Sequence, residues 1–75
     1  MGRSILTRRE LEVVRGTAVG KTSEEIAKDM FLSIETVKSH KRHIIAKLQA
    51  RNMTHAVAIV AMNAPQAIRN DEGRP

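Results

Sequence analysis

Four helix-start signals punctuate the chain, at Thr7, Thr22, Ser33 and Asn52, and they leave room only for short helices between them. Thr7-Arg8-Arg9-Glu10 and Thr22-Ser23-Glu24-Glu25 are both Thr-x-x-Glu capping boxes. In each, the threonine hydroxyl accepts from the glutamate backbone N–H and the carboxylate reaches back to the threonine N–H. Ser33 and Asn52 are side chains that cap a helix on their own. Gly20 marks one stop, because glycine takes the left-handed turn after a helix without steric cost. Pro65 marks another. Helices are therefore expected at 8–19, about 23–30, about 34–49 and 53–63. Nothing alternates with the period of a strand and nothing repeats. The expected fold is all-α, a four-helix bundle-like domain over residues 1–63. Residues 1–6 read as a frayed arm, and 64–75 as a flexible C-terminal tail.

Composition narrows what such a domain can do. A chain of 75 residues forms one small domain, too short for a TIM or Rossmann enzyme fold. It has no cysteine, which excludes a disulfide scaffold, a cysteine zinc finger and a redox dithiol and suits a reducing cytoplasm. Phe31 is its one aromatic residue, so the core must be aliphatic. The longest apolar run, Ala56 to Met62, is seven residues, whereas a membrane span needs about 20. No apolar signal region opens the chain. Met1-Gly2 begins like a myristoylation signal, but Leu6 stands where Ser or Thr is required.

The net charge of +5 is concentrated in one place. Residues 1–35 carry six basic and six acidic side chains, and residues 52–75 carry two of each. Residues 36–51 carry Lys38, Lys41, Arg42, Lys47 and Arg51 with no acid. A basic block on an otherwise neutral chain points to a polyanion, with nucleic acid first. The block lies on the third helix. At about 100° per residue, Val37, His40, Ile44 and Leu48 form an apolar stripe. Lys38, Lys41, Arg42 and Gln49 lie roughly opposite with Glu35 and Ala46, and Ser39 is at the edge. Ile45 falls on the basic side, against helix 4 or a partner chain. Helices 2 and 3, joined by three residues, have the spacing of a helix-turn-helix. One face of helix 3 can pack while the other offers donors to guanine O6 and N7 on the major-groove floor. Lys38 and Arg42, at i and i+4, would face the same stretch of groove.

On helix 1, Leu11, Val14 and Ala18 recur at helical spacing; on helix 2, Ile26, Ala27 and Met30 line one face. Helix 4 is apolar nearly all round. Met53, Val57, Val60 and Ala61 can cover the core, leaving Ala58, Ile59 and Met62 for a dimer interface. A chain this short can hardly surround such a helix. Catalysis finds no support. His40-x-x-His43 lies on two different arcs and lacks a third metal ligand. His40 reads as a core-facing or interhelical histidine, and His43 and His55 as surface residues. Gly16-x-x-x-Gly20 sits in a short amphipathic helix and not in an apolar 20-mer, so it is no membrane motif.

The order of residues resembles the LuxR/GerE-type helix-turn-helix domain of bacterial transcription regulators. The matching stretches are Leu6-Thr7, Arg9-Glu10, Glu12-Val13, Gly20, Glu25-Ile26-Ala27, Leu32-Ser33 and Thr36-Val37-Lys38. They continue with His40, Ile44, Lys47-Leu48, Asn52, Thr54 and Ala56-Val57. The resemblance covers about residues 5–63 and implies four helices, with helix 3 as recognition helix and helix 4 often the dimer contact. It implies base reading by Lys38, Ser39 and Arg42, and phosphate contact by Thr36 and Lys47. Lys21, Thr22 and Ser23, at the start of helix 2, join the phosphate set by position; charge and position add Lys41 and Arg51. The sequence departs from the family at three places. Gly16 replaces a usual apolar residue and should loosen helix 1. Met53 replaces a common Arg, and Gln49-Ala50 replaces a common Gly-Val.

The expected function is that of a cytoplasmic, nucleoid-associated regulator that binds specific double-stranded DNA, as a homodimer and without a cofactor or small-molecule ligand. RNA polymerase or a regulatory protein is a further candidate partner. Affinity should fall steeply with salt as neutralised phosphates release counterions. With Met1 as a natural start this is a stand-alone regulator of the GerE kind; as an excised domain, its control lies in the missing part. Two rivals stay open. Region 4 of a sigma factor has a similar helix-turn-helix but typically ends near the position of Leu48. A protein-interaction module would dock a partner through helix 4 and use its basic face for solubility or for an acidic protein.

Overall fold

The computed structural model describes residues 5–68. Among them are the helices α1 (Arg8–Ala18), α2 (Ser23–Met30), α3 (Ile34–Leu48), α4 (Met53–Asn63) and α5 (Pro65–Ile68). Thr7, Thr22, Ser33 and Asn52 cap the first four, each side chain accepting the backbone N–H three residues on. Both capping boxes close in both directions, with the Glu10 and Glu25 carboxylates accepting from the Thr7 and Thr22 N–H groups at 2.9 and 2.8 Å.

The helix ends are equally local. α1 ends at Ala18, one residue earlier than expected, with Val19 as its cap and Gly20 beyond it at φ +93°. Phe31 and Gln49, at φ 58° and 54°, end α2 and α3 in the left-handed region. The N–H of Leu32 then donates to the Ala27 carbonyl at 2.8 Å, and that of Ala50 to Ile45 at 2.9 Å. These six-residue closures satisfy carbonyls that a helix end leaves open.

The core is aliphatic: Val13, Val14, Ile26, Ala27, Met30, Val37, Ile44, Ala56 and Val60 are buried, with Leu6 beside them. Phe31 is 94% exposed and contributes nothing to it. Each fully buried valine or isoleucine contributes about 1.5–3 kcal/mol. α3 packs against α1, α2 and α4, and α1 packs against all four other helices.

Several expectations change. Leu6 does not end a frayed arm; it is buried and lines an apolar groove with Leu11. Residues immediately before the cap and four into the helix meet in this way in a hydrophobic staple. On α1, Val13 is buried and Ala18 exposed, because neighbours pack on α1 from several sides. On α4 the buried face holds Ala56 and Val60, flanked by Met53 and Val57, while Ala61 is exposed. Where nearly every residue is apolar, periodicity carries no phase. Ile45 is half-buried. The expected tail begins with a further helical turn, α5, packed on α1 and α4, with the Arg15 guanidinium donating to the Ala67 carbonyl at 3.1 Å. The rest of that tail, and the start of the expected arm, lie outside the described residues.

α1 runs unbroken through Gly16. A Cβ there would lie 2.8 Å from Ile26 Cγ1, so its absence is what lets α2 approach this closely. Among the described residues no helix is long and apolar enough to cross a membrane.

Candidate nucleic-acid interface

Two helices and the turn between them build the interface. α2 and α3 each begin at a capped terminus, and Phe31-Leu32-Ser33 joins them. α3 buries Val37 and Ile44 and half-buries His40 and Leu48. That fixes which side of the helix faces outward. Glu35, Lys38, Arg42, His43, Ala46 and Gln49 are exposed there, with Ser39 half-buried at the margin. Lys41, placed on the basic arc from sequence, is half-buried and turned toward α2 instead.

The cations divide into two kinds. Lys38, Arg42 and Arg51 are exposed, and no hydrogen bond or ion pair holds their side chains among the described residues. Lys41, Lys47 and Lys21 are held. Lys41 Nζ donates to Ser23 Oγ at 2.9 Å, bringing together two expected phosphate-contact residues from different helices. Lys47 Nζ donates to Glu10 Oε1 at 2.8 Å and ties the end of α3 to the start of α1. Lys21 pairs with Asp29 on the surface. An ammonium has three donors, so each of these keeps donors beyond the bond described.

Of the remaining polar candidates, Thr22 and Thr36 are occupied by the fold. The Thr22 hydroxyl caps α2, and the Thr36 hydroxyl lies 2.9 Å from Ser33 Oγ, the cap of α3. Arg51 donates through its backbone N–H to His55 Nδ1 at 3.0 Å. His55 and His43 are exposed. Sequence reasoning recognised Glu10 as a cap but not as the acid that holds Lys47. Burial pushes its carboxyl up; the Lys47 bond and charge, with the Thr7 N–H and hydroxyl, outweigh that and hold it below the usual carboxylate range. The two residues are 37 apart in sequence, beyond the reach of any local pattern.

On the outer side of α4, Ala58 is exposed, Met62 is 81% exposed and Ile59 is half-buried. Ile59 faces an apolar groove with Ile5, Leu6, Leu11 and Leu48, so part of its surface is already used within the chain.

Capped helices at helix-turn-helix spacing, with unpaired cations on the outward face of the second, define a DNA-binding helix-turn-helix domain. Residues 4–60 match the family described as bacterial regulatory proteins, luxR family, and the chain belongs to that family. It is a LuxR-type DNA-binding domain of the kind found in transcriptional regulators. It is 41% identical over 58 residues to the transcriptional regulatory protein LiaR of Bacillus subtilis (strain 168), covering 77% of this chain and 28% of the relative. It is 42% identical over 53 residues to the oxygen regulatory protein NreC of Staphylococcus carnosus (strain TM300), covering 71% and 24%. It is 36% identical over 55 residues to the CsgBAC operon transcriptional regulatory protein of Escherichia coli (strain K12), covering 73% and 26%. The match thus spans about a quarter of the length of these relatives.

Proposed function

We propose that the chain regulates transcription in the cytoplasm by seating α3 in the major groove of a specific duplex site, as a homodimer joined through α4. The observation that carries this reading is the pair Lys38 and Arg42, exposed one helical turn apart on α3 with no intramolecular partner among the described residues. In this reading Lys38, Arg42 and Ser39 read bases. Thr36, Lys41, Lys47 and Arg51 meet phosphates, and Lys21, Thr22 and Ser23 approach the backbone at the start of α2. Lys41 and Lys47 are pre-oriented for this by Ser23 and Glu10, which lowers the cost of ordering long side chains at the interface. Ala58, Ile59 and Met62 form the contact between copies. A paired recognition helix then meets half-sites about one DNA turn apart.

The experiment is selection of bound duplexes from a random pool at physiological salt, with wild type and with the Lys38→Ala, Arg42→Ala double variant. Wild type is expected to enrich a pseudo-palindrome. The double variant is expected to keep the fold and to lose about 1–3 kcal/mol of preference at each base it no longer contacts. An enriched single half-site would keep base reading and turn α4 toward another protein. Equal enrichment by both proteins would refute base reading by α3.

A further inference from the structure

Glu35 is an acid in the wrong place for a surface that only binds phosphates. It is the second residue of α3 and is exposed. At about 100° per residue it projects between Lys38 and Ser39, with Arg42 two turns on along the same face. Its carboxylate is not consumed by the fold: among the described residues Glu10, Glu12, Glu25 and Asp29 each hold a partner, whereas no hydrogen bond or ion pair takes Glu24, on α2, or Glu35, on α3, the latter even with Lys38 one turn away.

We propose that Glu35 is a specificity-determining residue of the interface, and that its carboxylate accepts a hydrogen bond from the N4 amine of a cytosine on the major-groove floor. The proposal rests on the reading of α3 as the major-groove helix. A carboxylate on the groove-facing side is repelled by every phosphate, so it weakens binding to duplex DNA in general. Only a base that donates can offset that. Two bases carry an amine in the major groove, cytosine and adenine. Adenine sets its N7 acceptor beside the amine, where a second carboxylate oxygen is repelled; cytosine offers its amine without N7. Glu35 thus selects cytosine, while the cations of Lys38 and Arg42 suit guanine. Arg42 lies about 10 Å further along the helix at the usual rise, so both kinds of reader act within one half-site.

An acid in the first turn also stabilises a helix through its dipole, and the test separates that role from base reading. Duplexes are selected from a random pool with wild type, Glu35→Ala, Glu35→Gln and the Lys38→Ala, Arg42→Ala variant, each first checked for helix content. Wild type is expected to show one C·G pair preferred about tenfold or more, within the range for a good base contact. Glu35→Ala loses that preference and keeps the others. Glu35→Gln moves it toward adenine, because an amide can serve both N6 and N7. Both variants bind random duplex more tightly than wild type at equal salt. A Glu35→Ala consensus unchanged at every position, with only the melting temperature lowered, overturns the proposal and leaves a helix-dipole acid. In that case, loss of preference by the Lys38, Arg42 variant shows that the reading of α3 survives. Failure of wild type to enrich any sequence takes both down.

Discussion

Glu10 is the one charged residue buried among the described residues, and two donors converge on a single oxygen of its carboxylate. The Thr7 N–H lies at 2.9 Å and the Lys47 ammonium at 2.8 Å from Oε1. The carboxyl is held below its usual range despite the opposing effect of burial. A carboxyl whose folded pKa is depressed adds stability that is complete above its unfolded value, about 4.3, and is lost as pH falls through the folded one. Wild type should therefore lose stability below about pH 4.3 more steeply than Glu10→Gln, as read by urea melts from pH 7 to pH 3. At pH 7, Glu10→Gln should cost about 1–2 kcal/mol, less than the roughly 3–5 kcal/mol of breaking a fully buried pair, because the Lys47 side chain is 34% exposed and screened by water. Parallel acid-side slopes for the two proteins would refute this role. The threonine half of the arrangement was legible in the sequence, since a capping box is local. The lysine half was not, because only the packing of α3 on α1 brings Lys47 near.

Among elements, α1 shows how a local rule can mislead. Gly16 lies inside a helix, where alanine would ordinarily stabilise by about 1 kcal/mol. Here a Cβ would meet Ile26 Cγ1 at 2.8 Å, and Ile26 is 1% exposed, so it has little room to yield. Gly16→Ala should therefore destabilise, by about 1–2 kcal/mol, as overpacked cores do; a rise in melting temperature would show that Ile26 yields freely. Gln49 presents the opposite case. It holds φ 54° at the end of α3, a conformation that costs a side chain about 1 kcal/mol and glycine little. Gln49→Gly should raise stability by about 0.5–1 kcal/mol, less any gain in unfolded-chain entropy, with calorimetry as the check. The helix starts were readable because each cap is a side chain acting three residues away. α4 gave its length from Asn52 and Pro65 but not its rotation, and only the structure places Ala56 inside and Ala61 outside. α5 was missed because the proline that ends α4 also opens a new turn, a position proline favours.

For the whole molecule, the open matter is how one small domain spends the apolar surface of α4. The core takes Ala56 and Val60, and the described residues leave Ala58, Ala61 and the 81% exposed Met62 facing outward. In a two-fold dimer the same patch meets itself, so one substitution is presented twice across the axis. Met62→Glu would set two carboxylates against each other there while removing nothing from the core. Its melting temperature should stay close to wild type, since exposed substitutions usually fall within about 0.5 kcal/mol. Sedimentation equilibrium should show a shift from dimer toward monomer. Binding to an isolated half-site should be unchanged, because α3 is untouched, whereas binding to a palindrome should lose its cooperativity and weaken toward the half-site value. The pairing of outcomes is what discriminates. Equal losses on half-site and palindrome would indicate damage to the domain itself. An unchanged palindrome affinity with unchanged mass would mean that copies do not meet through α4, and that its outward face serves a different chain.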